Sequence, residues 1–204
     1  MTLSKLAIAT AALTLCAGAA NAQSINSNQQ NNANIRAKLN AIVEHVGGDV
    51  TATAAGIGNS FTVDGEGVTG VTNRQIFWGD ASSLLNANVE NVVGDVSLTS
   101  AAIANSATIK TSHWGGDISN TQFVNIDPTA VLNSETYDIG GEVSATAAAL
   151  SNSATINSEF SRVGSNQQNF AAVNAIASAT AARVAGDVTL TAAAIGNSLT
   201  VTGF

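Results

Sequence analysis

The clearest structural pattern in the sequence is GDVTLTAAAIGNSLTV, at residues 186–201. Two sets of residues alternate at a period of two, Val188, Leu190 and Ala192 with Thr189, Thr191 and Ala193, which is typical of a half-buried β-strand. Gly196, Asn197 and Ser198 follow, and we expect a tight turn there because Gly and Asn tolerate left-handed backbone. The alternation then resumes, so the block is predicted to form a strand, a turn and a second strand.

The same block occurs four times along the chain. It reads G-[DE]-V-[ST]-x-T-x-A-x-[IL]-x-N-S-x-T-[VI] and covers residues 48–63, 94–109, 141–156 and 186–201. Its acidic position falls at Asp49, Asp95, Glu142 and Asp187, at spacings of 46, 47 and 45 residues. Self-similarity at a fixed period of this size is the signature of a repeat architecture.

A second signature, Asn-x-Gln, keeps nearly the same spacing. It occurs at Asn28/Gln30, Asn73/Gln75, Asn120/Gln122 and Asn166/Gln168, which are 45, 47 and 46 residues apart. The two signatures together predict a single repeat domain at residues 23–204. Its units are predicted at about residues 28–72, 73–119, 120–165 and 166–204.

Stacked strand units bury their apolar faces against one another, so the repeats predict an all-β fold, a β-solenoid or β-helix of four units of about 46 residues. Asn at equivalent positions of stacked coils pairs its side-chain amides in a ladder. We expect such a structural ladder at Asn59, Asn105, Asn152, Asn197, Gln30, Gln75, Gln122 and Gln168. If one coil takes half of each unit, equivalent residues lie ~9.5 Å apart. Residues 33–46 also fit an amphipathic helix locally, although the later units do not keep that face.

The N-terminal segment accounts for part of the apolar composition. Lys5, an apolar run over residues 6–20 and the sequence Ala-Asn-Ala at residues 20–22 predict a secretory signal peptide at residues 1–22. Its removal would also remove Cys16, the one cysteine, so no disulfide is expected. The remaining chain would carry six basic and fourteen acidic residues, a net charge of −8.

Several classes of function are disfavoured by composition and motif. Only 10% of the residues are charged, against roughly 25% in ordinary domains, and Lys and Arg do not cluster, so we expect no nucleic-acid partner. No nucleophile, zinc or phosphate-binding motif occurs, and we expect no enzyme, no metal site and no cofactor. The acidic column has one carboxylate per unit, which suits a solvated turn better than a calcium ladder. His45 and His113 lack ligand partners at metal-binding spacing.

Threonine and serine form a further periodic pattern. The motif [ST]-x-T occurs twice in each block, beginning at Thr51 and Ser60 in the first copy and at Thr189 and Ser198 in the last. Stacked coils would place these residues in columns of hydroxyl and methyl groups, the type of array with which β-solenoid antifreeze proteins bind ice. The alternative is that Thr and Ser are simply favourable outward-facing strand residues.

The tandem units, the Asn and Gln at fixed offsets, the Gly-Asn-Ser string and the preceding signal peptide together resemble two related families. These are the curlin-type subunits of bacterial surface fibres and the curli-related proteins that anchor holdfasts in stalked bacteria. Curlin units are about half this length and follow Ser-x5-Gly-x-Asn-x5-Gln, whereas here Asn59 and Gln75 stand further apart. The string Ala-Ile-Gly-Asn-Ser more weakly resembles the head repeats of trimeric autotransporter adhesins.

The resemblance implies a secreted structural subunit of a cell-surface fibre or an adhesion and anchoring assembly in a Gram-negative bacterium. Its expected partners are further copies of the chain, or other fibre and anchor subunits. An outer-membrane secretion or nucleator protein is an additional candidate partner. Exposed edge strands at the ends of a solenoid template further pairing, which agrees with a self-associating subunit. The alternative is a soluble β-solenoid binding protein, for example one that binds ice through the [ST]-x-T columns.

Overall fold

The computed structural model describes residues 24–112, 116–159 and 161–203, and in these ranges all regular structure is β-strand. The predicted signal peptide lies outside the described residues. The described part of the chain also holds no helix that is long and apolar enough to cross a membrane. Its twelve strands are β1 (Ile25–Asn31), β2 (Ile35–Val46), β3 (Val50–Glu66), β4 (Val71–Phe77), β5 (Ala81–Val92), β6 (Val96–Ser112), β7 (Ile118–Val124), β8 (Thr129–Ile139), β9 (Val143–Ser158), β10 (Val163–Asn169), β11 (Asn174–Val184) and β12 (Val188–Thr202).

Each strand pairs with the strand three places later in the chain, as β1 does with β4. This pairing produces three parallel four-stranded sheets. Sheet A has the order β1-β4-β7-β10, sheet B has β2-β5-β8-β11 and sheet C has β3-β6-β9-β12. We use the word coil for three successive strands, so that coil 1 is β1–β3 and coil 4 is β10–β12. The prediction of an all-β chain of stacked strands is confirmed. Strands three places apart in the sequence lie side by side and parallel, so each coil stacks on the one before it.

One full coil, rather than two, occupies each stretch of about 46 residues. Asn59 pairs directly with Asn105, and Asn105 with Asn152, as neighbours in sheet C. Equivalent residues are therefore one strand spacing apart, ~4.8 Å. The prediction of half-unit coils was wrong because sheets A and B, whose sequences vary most between coils, supply two of the three strands.

The core lies between sheet C and the other two sheets. The first half of each long sheet C strand packs on sheet B, as Leu98 does against Leu85 and Leu132. Its second half packs on sheet A, where Ile109 and Ile156 meet the start of β4 and β7. Small and β-branched side chains suffice because each layer is shared between neighbouring coils.

Corners replace the tight turn that was predicted at Gly-Asn-Ser. In β6 both Ala104 and Asn105 point inward and are fully buried, and the pairing skips Gly58 and Ala104. The strand bends there without ending. A Cβ at Gly58 would meet the Ala104 carbonyl oxygen at 2.5 Å, so this close approach needs glycine.

A second corner lies near the end of each sheet B strand, at a residue with left-handed backbone. These residues are His45, Asn91, Asp138 and Arg183, with φ of 55–56°. The helical alternative for residues 33–46 is excluded, since β2 spans nearly all of this segment. In β2 Val43 points inward, whereas Ile42 points outward and is 76% exposed.

Candidate functional site

A ladder of asparagine side chains runs through all four coils behind the sheet C corner. Asn59 Nδ2 donates to Asn105 Oδ1 at 2.8 Å, Asn105 Nδ2 to Asn152 Oδ1 at 2.9 Å, and Asn152 Nδ2 to Asn197 Oδ1 at 2.9 Å. Asn105 and Asn152 are completely buried, so these bonds satisfy amides that water does not reach. The four asparagines singled out in the sequence thus lie in one continuous column.

A second ladder, of glutamines, lies opposite the first on the inner face of sheet A. Gln75 Nε2 donates to Gln29 Oε1 at 2.9 Å, Gln122 Nε2 to Gln75 Oε1 at 2.8 Å, and Gln167 Nε2 to Gln122 Oε1 at 2.8 Å. Each of these Nε2 atoms also donates to a sheet C carbonyl oxygen, as Gln122 does to that of Ser153 at 2.8 Å.

The outer members of the glutamine ladder differ from the prediction. Gln30 and Gln168 lie one position further along their strands and point outward, because successive side chains of a strand face opposite sides. Gln29 and Gln167 take the inward places. The sequence contained the signal, since only Gln29 and Gln167 reproduce the 46, 47 and 45 residue spacings of the acidic column.

The acidic column at the corner before sheet C binds backbone. Asp95 N donates to Asp49 Oδ1 at 3.0 Å, and Glu142 N donates to Asp95 Oδ1 at 2.9 Å. The carboxylates of Asp49 and Asp95 therefore each accept from a backbone amide of the following coil. Within residues 24–112, 116–159 and 161–203, no three His, Cys, Asp or Glu side chains gather in a group that could hold a metal. His45 is exposed at its corner, and His113 is outside the described residues.

The hydroxyl pattern forms straight columns on the outer face of sheet C. Thr53, Thr99, Thr146 and Thr191 occupy one register position in the four coils. The neighbouring outward position holds Thr51, Ser97, Ser144 and Thr189 in the same order. The columns are regular, and serine interrupts the methyl groups of the second one.

The two ends of the stack are unpaired. Strands β1, β2 and β3 at one end, and β10, β11 and β12 at the other, have a hydrogen-bonded neighbour on one side only among the described residues. At the second end Val188, Leu190, Leu199 and Val201 are 38–49% exposed. The equivalent residues of coil 3, such as Val143 and Ile156, are 0–1% exposed. Coil 4 thus presents core side chains that a further coil would cover.

Three aromatic rings lie in a row on the outside of sheet A. The ring centroids of Trp78 and Phe123 are 5.2 Å apart, and those of Phe123 and Phe170 are 5.4 Å apart. Phe170 is 68% exposed and Trp78 is 41% exposed. No sequence period signals this row, because its residues come from two different strand positions.

Comparison with known proteins gives one family match. The sequence model of the family described as Holdfast attachment protein D matches residues 64–204, more than two thirds of the chain, including β4 to β12. No curated protein and no solved structure matches the chain significantly. The family description implies a bacterial cell-surface protein related to holdfast attachment, as predicted from the resemblance to holdfast anchors, while the resemblance to curlin stays a prediction. The chain belongs to the Holdfast attachment protein D family.

Proposed function

We propose that this protein is a secreted structural subunit of the holdfast attachment assembly, built of four repeated coils that self-associate through the open ends of the solenoid. The observation that carries the proposal is the exposed end of coil 4. There Val188, Leu190, Leu199 and Val201 present apolar side chains next to unpaired strand edges. Burying apolar surface contributes about 25 cal/mol per Å², and unpaired edges template further strands.

Buried polar ladders that repeat from coil to coil fit a structural role better than catalysis. The polar side chains that the described residues bury belong largely to ladders that repeat from coil to coil. A repeated amide ladder stabilises the stack along its whole length and gives no single position distinct chemistry. We therefore expect no enzymatic activity, no cofactor, and partners that are further copies or other holdfast components.

Sedimentation velocity and electron microscopy of the purified chain from Gln23 onward test self-association. We expect the sedimentation coefficient to rise with concentration and filaments to form at high concentration. A chain that stays monomeric throughout contradicts the proposal. In cells, deletion of the gene is expected to release the holdfast from the surface, and re-expression of the intact chain is expected to restore its retention.

The threonine columns favour a second candidate function, a soluble binding protein that binds ice. The observation behind it is the register of Thr53, Thr99, Thr146 and Thr191 on the outer face of sheet C. Thermal hysteresis and ice-crystal shaping measure this activity. If the wild-type chain shows no ice-binding activity, this candidate function is rejected. If it is active, replacing Thr99 and Thr146 by lysine should abolish the activity.

A further inference from the structure

The asparagine ladder of sheet C and the glutamine ladder of sheet A run in opposite directions, and this gives the ends of the stack different hydrogen-bonding groups. In the asparagine ladder each amide donates toward coil 4, as Asn152 does to Asn197. In the glutamine ladder each amide donates toward coil 1, as Gln75 does to Gln29. The direction of donation is fixed by the additional bonds to carbonyl oxygens of the facing sheet, for example from Asn59 Nδ2 to Ile76 O at 3.0 Å.

The groups left over at the two ends are complementary. At coil 4, Asn197 Nδ2 donates one N–H to Gln167 O at 3.3 Å and has a second N–H, while Gln167 Oε1 accepts from no described residue. At coil 1, Asn59 Oδ1 accepts from no described residue, and Gln29 Nε2 donates one N–H to Ser60 O at 2.8 Å and has a second. A copy stacked on coil 4 would bring an oxygen to the free Asn197 N–H and an N–H to the free Gln167 oxygen.

In sheets A and C the sequences of the two end strands match each other better than they match their own neighbours. The pentapeptide Ser-Asn-Gln-Gln-Asn forms both residues 27–31 and residues 165–169, whereas β4 and β7 share only the glutamine with it at those positions. Over fifteen positions β12 is identical to β3 at eleven. The stacked pairs β3/β6, β6/β9 and β9/β12 are identical at seven, ten and eight of the same positions.

In-register stacking of identical residues is the arrangement in which side-chain ladders continue. If β1–β3 of one copy follow β10–β12 of another, Asn169 meets the next copy's Asn31, where the inner strands carry Phe77 and Val124. Coil 4 carries only Arg183 and Asp187, and Asp187 would meet Asp49 of the next copy as Asp49 meets Asp95 within the chain. Two equal ends facing each other would instead pair antiparallel, and neither ladder would continue.

We propose that a second copy of this chain docks with its coil 1 on coil 4, parallel and in register, so that Asn197 donates to its Asn59 and its Gln29 donates to Gln167. The inference rests on the proposed end-to-end self-association and specifies its register and direction. The resulting fibre is polar, with one growing end formed by coil 4 and the other by coil 1.

Disulfide cross-linking tests the register in the Cys16→Ser background, in which the chain has no cysteine. Thr51 and Thr189 are exposed and share a sheet C register position, so the proposal places them on adjacent strands, within the ~4.4–6.8 Å that a disulfide needs between Cα atoms. Inside one chain they are three strand spacings apart, ~14 Å. Oxidised Thr51→Cys/Thr189→Cys protein should form a ladder of covalent multimers, and the matched Thr53→Cys/Thr189→Cys protein, two residues out of register, should not.

Three results of this experiment overturn the proposal. Covalent dimers from the Thr51→Cys variant alone would show that equal ends pair. If the Thr53→Cys/Thr189→Cys protein forms multimers and the Thr51→Cys/Thr189→Cys protein does not, the copies stack in another register. The proposed self-association would then be kept and the proposed register rejected. If the Cys16→Ser protein itself stays monomeric, both the proposed self-association and the proposed register are rejected.

An isosteric change at the exposed end tests the direction of the ladder. Asn197→Asp keeps the oxygen that accepts from Asn152 but replaces the NH2 group, with both of its N–H donors, by an oxygen that would face Asn59 Oδ1 and Gln167 O. We expect the concentration needed for assembly at pH 7 to rise at least tenfold while the unfolding midpoint of the monomer changes little. Ser178→Asp adds the same charge on the outer face of β11 and should have a much smaller effect. Equal effects of the two variants would refute a role for the Asn197 amide.

Discussion

Replacement of Asn105 by alanine is the sharpest test of the stabilising role of the asparagine ladder. The Asn105 side chain is fully buried and makes three hydrogen bonds, with Asn59 at 2.8 Å, Asn152 at 2.9 Å and Phe123 O at 3.0 Å. Truncation removes all three bonds and leaves their partners without a replacement. A net hydrogen bond contributes about 0.5–1.5 kcal/mol, and a buried unsatisfied partner costs about 1–3 kcal/mol. We expect a loss of about 3–5 kcal/mol in the free energy of unfolding.

Asn197→Ala provides the matched control at the end of the same ladder. Asn197 is exposed, so water replaces the bonds that truncation removes, and we expect a loss below about 1 kcal/mol. Urea unfolding followed by far-ultraviolet circular dichroism, at concentrations where the chain is monomeric, measures both values. Equal losses, or a loss below about 1 kcal/mol for Asn105→Ala, would refute the reasoning that burial of the amides makes the ladder stabilising.

Three further predictions concern the glutamine register, the close contacts between coils and the left-handed corners. Gln122→Ala should cost about 2–4 kcal/mol in urea unfolding, because the Gln122 side chain is fully buried and makes three hydrogen bonds, whereas Gln168→Ala on the outer face should cost less than about 0.5 kcal/mol. Similar losses for the two variants would contradict the inward position of Gln122 and the outward position of Gln168. Gly141→Ala should lower the free energy of unfolding by about 1–3 kcal/mol, because its Cβ would lie 2.7 Å from the Gly94 carbonyl oxygen. Gly47→Ala is the control, because a Cβ there meets no atom within 4 Å, and thermal unfolding of the two variants should show a lower melting temperature for Gly141→Ala only. Asn91→Val should lower the free energy of unfolding by about 1–2 kcal/mol, because a β-branched residue is strained at the φ of 55° that Asn91 adopts. Asn88→Val, on the outer face of β5, should be tolerated. An unchanged melting temperature for Asn91→Val would argue against a left-handed corner there.

The sequence predicts the class of fold well because the long sheet C strands repeat almost unchanged. Val, Leu and Ala at alternating positions define the buried face, and the fixed spacing of Asn59, Asn105 and Asn152 places them in one column. The strands of sheets A and B could not be predicted from the sequence, because only their inward-facing residues are similar from coil to coil. At one such position Leu39, Leu85 and Leu132 are followed by Ala177, and the outward residues between them vary freely.

The corners are the features that the sequence conceals most completely. Left-handed backbone usually indicates Gly, Asn or Asp, but here His45 and Arg183 adopt it as well. The coil geometry imposes the conformation because the neighbouring residues are held by sheet pairing on both sides of the corner. Conversely, the Gly-Asn-Ser string resembles a turn in sequence, and it forms a bend inside a strand because the ladder satisfies the inward Asn amide.

The opposed directions of the ladders have a consequence for the electrostatics of the proposed fibre. A column of aligned amides accumulates a dipole along its axis, as the peptide groups of a helix do. Here three Asn bonds of the sheet C ladder and two in the column Asn73–Asn120–Ser165 donate toward coil 4. Three glutamine bonds and the two of the exposed column Asn40–Asn86–Asn133 donate toward coil 1. The side-chain dipoles of these four columns therefore oppose one another along the axis, five bonds in each direction, and the columns add little net field at the tips of a longer stack.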